Sequence, residues 1–382
     1  MEAADLVKFV LFGLTVSSSW GNGHATLWRG LIRALVAHGH EVTFFERDQP
    51  FYALNRDLHE LPGARLVLYP DWETVHAEAA AEVARADIAL VTSYCPDGPA
   101  ASELIFETAP AQTVFYDMDT PVTLAALEAG ERVEYLPPQG LGDFDLVLSY
   151  TGSEALTLLR SRLGARRAAP LYGHVDPELH RPAEAVDEFR GDLSYIGTYA
   201  EDRQEVVERL FVEPARARPD QRFVLAGSGY DAAFPWADNI YFVKHLPPPA
   251  HPAFYASARL TLNATRRAMA AMGWCPSGRL FEAASCGVPI LSDCWEGLDA
   301  FFQPGEEILT ASTTEQALEA LSLPMGDLVT IARRARARVL EEHSSDRRAA
   351  DLLSILQGGG NSASVPDSLQ KHEKGEAVTG GI

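Results

Sequence analysis

The sequence predicts an α/β protein of two doubly wound halves, each a parallel sheet with helices on both faces, set about a central cleft. Three observations carry this. Short apolar runs alternate with helical patterns from Val7 onward. The alternation breaks at a Pro-, His- and Gly-rich stretch, Pro170 to Pro182, and starts again at Leu193. A chain of 382 residues, 47% hydrophobic and 22% charged, suits two ordinary cores better than one.

The elements follow in order. Val7 to Thr15 is an apolar run that ends in small residues, Ser17-Ser18-Ser19-Trp20-Gly21-Asn22-Gly23-His24. A helical pattern follows, with Leu27, Leu31, Ala34 and Leu35 on one face and Gly39 closing it. Val42 to Phe45 then reads as the next strand, which completes the β-loop-α-β opening of a Rossmann-like unit. Arg65–Tyr69, Ile88–Thr92, Thr113–Tyr116 and Leu146–Tyr150 are further buried-strand candidates. After the break, Leu193–Gly197 opens a new strand-turn, and an amphipathic helix runs through Val206 and Leu210. Phe223–Ala226, Ile240–Val243, Leu260–Asn263 and Ile290–Ser292 supply the remaining strands, and Leu280–Cys286 suits a helix stopped at Gly287. The expected divisions are residues 1–182, residues 183–340, a helical segment over 341–357 that packs back on the first half, and a disordered Gly/Ser/Lys/Glu tail over 358–382. Pro170 to Pro182 is the hinge candidate.

The formal net charge of −21 argues against a nucleic-acid partner and against an anionic membrane, since both would be repelled. It leaves room for a local basic pocket. Cys95, Cys275, Cys286 and Cys294 form no CxxC pair and no metal-ligand spacing, so they read as reduced cytoplasmic thiols. No run is long enough to span a bilayer, and the start shows no basic n-region of a signal peptide.

The first Gly-rich loop sits between a strand and a helix, where glycine permits a sharp turn and a helix N-terminus can meet a polar substrate. Thr26 stands where a third glycine would complete GxGxxG, so the dinucleotide fingerprint is imperfect, although Glu46 at the end of the second strand could imitate its ribose-binding acid. His24 lies at the carboxyl edge of the sheet and could exchange a proton near neutral pH. Asp117 and Asp119 follow a strand at the same edge, and either could orient His24 as a carboxylate orients imidazole in a triad. The plain alternatives are a ring at a helix cap for His24, and for Asp119 the cap of the helix that follows Pro121. Trp20, Asn22 and Gly23 are acceptor-side candidates on the same loop; for aromatic residues such as Trp20 and Trp28, core packing is the default.

In the second half three small-residue loops follow strands or open helices: Gly197-Thr198-Tyr199 with Arg203 one turn on, Gly227-Ser228-Gly229, and Ser277-Gly278-Arg279. If the strands are parallel neighbours, these loops converge at one edge. Their N–H groups, hydroxyls and Arg279 can then surround a diphosphate without a metal. Glu282, one turn into the next helix, can accept both hydroxyls of a ribose. Asn263, Thr265 and Arg266 follow a strand and could touch a sugar or phosphate, with a surface charge as the alternative for Arg266. His245 before three prolines is either a nucleobase contact or a rigid turn.

Pro276-Ser277-Gly278-Arg279-Leu280-Phe281-Glu282-Ala283-Ala284-Ser285-Cys286-Gly287-Val288-Pro289-Ile290 resembles the donor-site segment of GT-B glycosyltransferases. More narrowly the chain resembles the CgeB-like (spore maturation protein CgeB) glycosyltransferases. The matching pieces are Ser18–Thr26, Glu46-Arg47-Asp48, Tyr116–Pro121, Tyr195–Tyr199, His245–Pro248, Leu262–Arg266 and Trp295–Leu298. The resemblance implies a GT-B fold, a nucleotide-sugar donor with UDP the commonest carrier and GDP or dTDP open, transfer to a small-molecule or glycan acceptor in the cleft, and neither a metal nor another cofactor. It implies that Glu282 binds the nucleotide ribose. Many retaining GT-B enzymes carry a second glutamate eight positions earlier, where this chain has Trp274. The Gly-His loop instead resembles that of inverting GT-B enzymes, with His24 as base. The stereochemistry stays open. The competing classes are a nucleotide-sugar epimerase or hydrolase, which needs no acceptor groove, and a non-catalytic binding protein, for which Trp274 is the best hint.

Overall fold

A computed structural model describes residues 6–358. Met1–Asp5 and the part of the expected tail beyond Gly358 lie outside the described residues.

The first sheet has seven parallel strands: β1 (Lys8–Gly13), β2 (Glu41–Arg47), β3 (Arg65–Tyr69), β4 (Ile88–Thr92), β5 (Gln112–Asp117), β6 (Leu146–Ser149) and β7 (Ala168–Pro170), in the order β3-β2-β1-β4-β5-β6-β7. The second has six: β8 (Gly191–Ile196), β9 (Phe223–Gly227), β10 (Ile240–Lys244), β11 (Ala258–Asn263), β12 (Ile290–Ser292) and β13 (Leu309–Thr310), in the order β10-β9-β8-β11-β12-β13. The expected two-sheet α/β class is thus observed. Strands buried on both faces explain the continuous apolar runs: in β1, Phe9 and Leu11 feed one core while Val10 and Phe12 feed the other. In β9, Val224 and Ala226 face one side, and Phe223 and Leu225 the opposite side.

Two strands escaped the sequence reading, β7 and β13. Both are edge strands of three residues or fewer, too short to show a period, and β7 ends in a proline that only an edge tolerates. The expected amphipathic helix through Val206 and Leu210 is also less regular than its pattern. It widens into a π turn over Glu208–Val212 before Glu213–Ala217, which contains Pro214.

The last helix, Ser345–Leu356, lies on the first helix, Gly23–Ala37. Ala349, Leu352 and Ile355 join Leu31 and Leu35 in one buried cluster. Gly30 makes the approach possible, since a Cβ there would stand 2.6 Å from Ser345 Oγ. Arg348, buried, is held by Asp351 at 2.8 Å and by the Gly173 carbonyl.

Each sheet reverses its strand order once, at β1/β4 and at β8/β11. Such a switch point opens a crevice at the carboxyl ends of the strands. The two crevices face each other, so the loops after β1, β4 and β5 meet those after β8, β9 and β11 across a cavity of about 660 Å³.

Candidate active site

On the first-sheet side the loop after β1 is pinned from behind. The Glu46 carboxylate, fully buried at the end of β2, accepts from the Thr15 and Ser17 hydroxyls at 2.7 and 2.5 Å and from the Val16 and Ser17 amides at 2.7 and 2.9 Å. It therefore sets the loop's shape, and the idea that it imitates a ribose-binding acid is corrected: its oxygens are spent inside. Asn22 caps the first helix, its Oδ1 accepting from the His24 amide at 3.0 Å. Gly23 is open to the cleft, with nothing within 4 Å of a notional Cβ.

His24 reaches across to Asp119, with Nε2 2.6 Å from Oδ2. Asp119 begins the helix Thr120–Glu128 but gives its side chain no capping bond; the carboxylate serves the imidazole. Burial opposes its ionisation, yet His24 and Arg266 outweigh burial and hold Asp119 below its ordinary range. Asp117 is a correction. It does not meet His24 and does not line the cleft. It is fully buried at the end of β5, its Oδ1 accepts the Asp119 amide at 3.1 Å, and its Oδ2 has no partner. Burial, with Asp119 adding to it, pushes its carboxyl up to about 7. Because Nε2 of His24 faces Asp119, the nitrogen left for a substrate is Nδ1, which is enclosed and unpartnered. Proton pickup from a ligand thus needs the ligand against Nδ1 or a turned ring.

Sequence reasoning missed Tyr94. It follows β4 at the switch point with a left-handed φ of 60°, and its ring centroid lies 5.9 Å from that of His24. A bulky residue held in that region is strained. Its place just after a central strand was the available signal. Trp20 does not line the cavity; it stacks on His245 with centroids 3.7 Å apart, joining the two lobes. His245 itself lines the cleft at a left-handed φ of 54°. Trp28 is core.

On the second-sheet side, Gly197, Thr198, Tyr199, Gly227, Ser228, Ser277, Gly278 and Arg279 all line the cavity. The first two loops touch through their backbones: a Cβ on Gly227, at φ 149°, would meet the Gly197 carbonyl oxygen at 2.0 Å. Arg203 is buried beneath them, with Nη1 donating to the Tyr195 hydroxyl at 3.1 Å and Nε unpartnered. Arg279 donates to Ser277 Oγ at 3.2 Å. Neither guanidinium makes an ion pair among the described residues. Burial, and then the neighbouring Arg203, pull Arg279 below the ordinary arginine range. Two like charges near each other, with Asp202 and Glu282 close enough to act on them but not paired to them, favour the arrival of an anion. Ser277 gives the helix Gly278–Cys286 no side-chain cap, so its first-turn amides add to the same field.

Arg266 lines the cleft too, but its Nε is paired with Asp202 at 3.0 Å. Asn263 is a correction: it is buried, does not line the cavity, and donates to Ser292 Oγ at 3.0 Å. Thr265 is held by Asp293 through amide and hydroxyl, each at 2.9 Å. Trp274 sits at φ 48° with its carbonyl accepting from the Gly152 amide at 3.0 Å, so it forms part of the joint between lobes.

Glu282 lines the cleft from the second turn of its helix. Its one hydrogen bond comes from the Tyr255 hydroxyl at a long 3.5 Å. His251 Nδ1 and His180 Nε2 stand 3.7 and 4.0 Å away. These three side chains are the one group among the described residues with the spacing to hold a metal ion. Burial holds both histidines below their ordinary range, His180 at about 4, so both are neutral at pH 7. Burial opposes ionisation of Glu282 as well, but its surroundings outweigh that and hold it below its usual value. With the rings neutral, the lasting cation facing it is Arg279.

Residues 203–354 match the family model described as glycosyl transferase-like. No curated protein sequence matches the chain. Among solved structures, sucrose-phosphate synthase from Thermosynechococcus elongatus superposes with a TM-score of 0.66 at 16% identity, covering 92% of this chain and 98% of that one. Anabaena HepE in complex with UDP and glucose gives 0.66 at 12% identity over 92% and 100%. An alpha-glucosyltransferase in complex with UDP and a 13-mer DNA gives 0.65 at 11% identity over 93% and 100%. The chain therefore has the GT-B fold of these glycosyltransferases.

Proposed function

We propose that the chain is a metal-independent glycosyltransferase that moves a sugar from a UDP-linked donor to a hydroxyl acceptor in the cleft between its two sheets. The observation that carries this reading is the pair of guanidiniums without a direct ion pair, buried Arg203 and partly buried Arg279, beside the uncapped helix start at Gly278. That arrangement fits a diphosphate and supplies, from the protein alone, the positive field a departing diphosphate needs. Glu282 then takes the ribose, and UDP is favoured because HepE and the alpha-glucosyltransferase are each in complex with it.

In this reading the acceptor oxygen attacks the sugar's anomeric carbon, the bond to the diphosphate breaks, and the acceptor proton passes to His24 while Asp119 holds the resulting imidazolium. The resemblance of the motifs from Ser18 to Leu298 supports a kinship with the CgeB-like glycosyltransferases. Its four cysteines, all free, fit a reducing cytoplasm. No described helix is long and apolar enough to cross a membrane.

Thermal unfolding with UDP, GDP and dTDP tests the donor side. A ligand at 100 times its Kd stabilises by about 2.7 kcal/mol. UDP is expected to give the largest rise in Tm, and no rise with any nucleoside diphosphate sinks the reading. UDP-sugar incubated alone separates the classes: free sugar released as fast as with acceptors marks a hydrolase.

A further inference from the structure

We propose that His180, His251 and Glu282 form a binding site for a borderline divalent transition-metal ion, with zinc the reference case and a fourth position open to the cleft. The argument is geometric. His180 Nε2 and His251 Nδ1 are 3.4 Å apart, and the Glu282 oxygens lie 3.7 Å from His251 and 4.0 Å from His180. These distances are long for hydrogen bonds but close to the ligand-to-ligand spacing, about 3.3 Å, of a tetrahedral ion with bonds of about 2.0–2.1 Å. The Glu282 contacts, one from each carboxylate oxygen, must close by about 0.4 Å toward His251 and about 0.7 Å toward His180 to complete the set.

The outer contact of His251 fits ligation as well, whereas His180 Nδ1 is buried without a partner. His251 Nε2 is 3.1 Å from the Leu246 carbonyl, which fixes its proton on that nitrogen and leaves the Nδ1 lone pair facing the cluster. That lone pair and the Glu282 carboxylate are two acceptors that share one donor, His180 Nε2 at 3.4 and 4.0 Å, and a bound cation would take the place of that proton. His180 is fully buried whereas His251 and Glu282 keep 13% and 15% of their side chains exposed, so the open side of the site faces the cleft. Two nitrogens and one carboxylate favour zinc, cobalt or nickel over magnesium or calcium.

The site goes beyond the donor reading and does not depend on it. Where that reading also holds, a bound ion occupies the carboxylate assigned to the ribose, and zinc inhibits in competition with the donor. The test uses the full chain, stripped with a chelator and titrated with Co²⁺ alone. One equivalent is expected to bind with the visible ligand-field bands of a four-coordinate site, and Zn²⁺ should bleach them. His180→Asn and His251→Gln should each weaken Co²⁺ binding by more than about 100-fold. Since buried His180 matters for packing, the variant at the less buried ring, His251→Gln, decides the outcome if His180→Asn fails to fold. Absence of stoichiometric Co²⁺ uptake, unchanged affinity in His251→Gln, or loss of the bands in Cys294→Ser overturns the proposal. No nucleotide enters the measurement, so its failure leaves the donor reading intact.

Discussion

The two switch-point crevices have the same topology and opposite electrostatic habits. Around the first, the charged groups meet partners while His24 Nδ1 and Asp117 Oδ2 stay unpaired: Glu46 holds four donors, Asn22 caps the helix at His24, and His24 meets Asp119 at 2.6 Å. Around the second, charge is left over: Arg203 and Arg279 lack ion partners, and Glu282 has one long hydrogen bond. A crevice whose charges are already paired is shaped in advance and can position a neutral ligand or pass a proton. An unsatisfied one has stability to gain from a ligand that brings the missing charges.

The largest test of that contrast is on the first side. His24→Ala or Asp119→Asn should lower turnover by about 10²–10⁴ while leaving UDP affinity unchanged, since a proton-handling pair acts on the reaction and not on donor binding. Steady-state rates and calorimetric UDP titration give both numbers, and equal losses in the two would reduce the pair to a structural role. Next comes Arg279→Ala on the second side. Here UDP affinity and turnover should both fall, turnover by about 10²–10³, as for a lost oxyanion donor. An unchanged UDP affinity would break the comparison, because the leftover charge would then serve something else.

The effect that touches stability and leaves the reaction aside concerns Asp117 and pH. Its carboxyl titrates near 7 in the folded chain against an ordinary 3.8. The folded state therefore keeps a proton that the unfolded state has released, so this residue makes stability fall as pH rises from about 4 to about 7, with no further change above. Asp117→Asn should remove that slope, at most about 1.4 kcal/mol per pH unit. Chemical denaturation of both proteins across the range checks it, and parallel curves would show that Asp117 is ionised throughout.

Much of the fold was readable because central strands buried on both faces leave unbroken apolar runs, as at Ile88–Thr92. The edge strands β7 and β13 were not, since two or three residues carry no period. The small-residue loops announced where a ligand can approach, and the structure gathers most of them at one cavity. What the side chains do there was not readable. Asp117 and Asp119 are equivalent as letters, and only the direction of the chain leaving β5 sends one inward and the other to His24. Asn263 looked like a ligand contact and is instead turned toward Ser292. His180, His251 and Glu282 come from three separate elements, so no local spacing could signal their meeting.

The final helix has a consequence for how the chain is made. Ala349, Leu352 and Ile355 complete a core that includes Leu31 and Leu35, synthesised more than 300 residues earlier. During translation the first lobe waits, with that apolar face uncovered, until the whole second lobe has left the ribosome. Gly30, which lets the helix seat, therefore sits at the last joint to close, and the first lobe is the later of the two to be finished despite being the first begun.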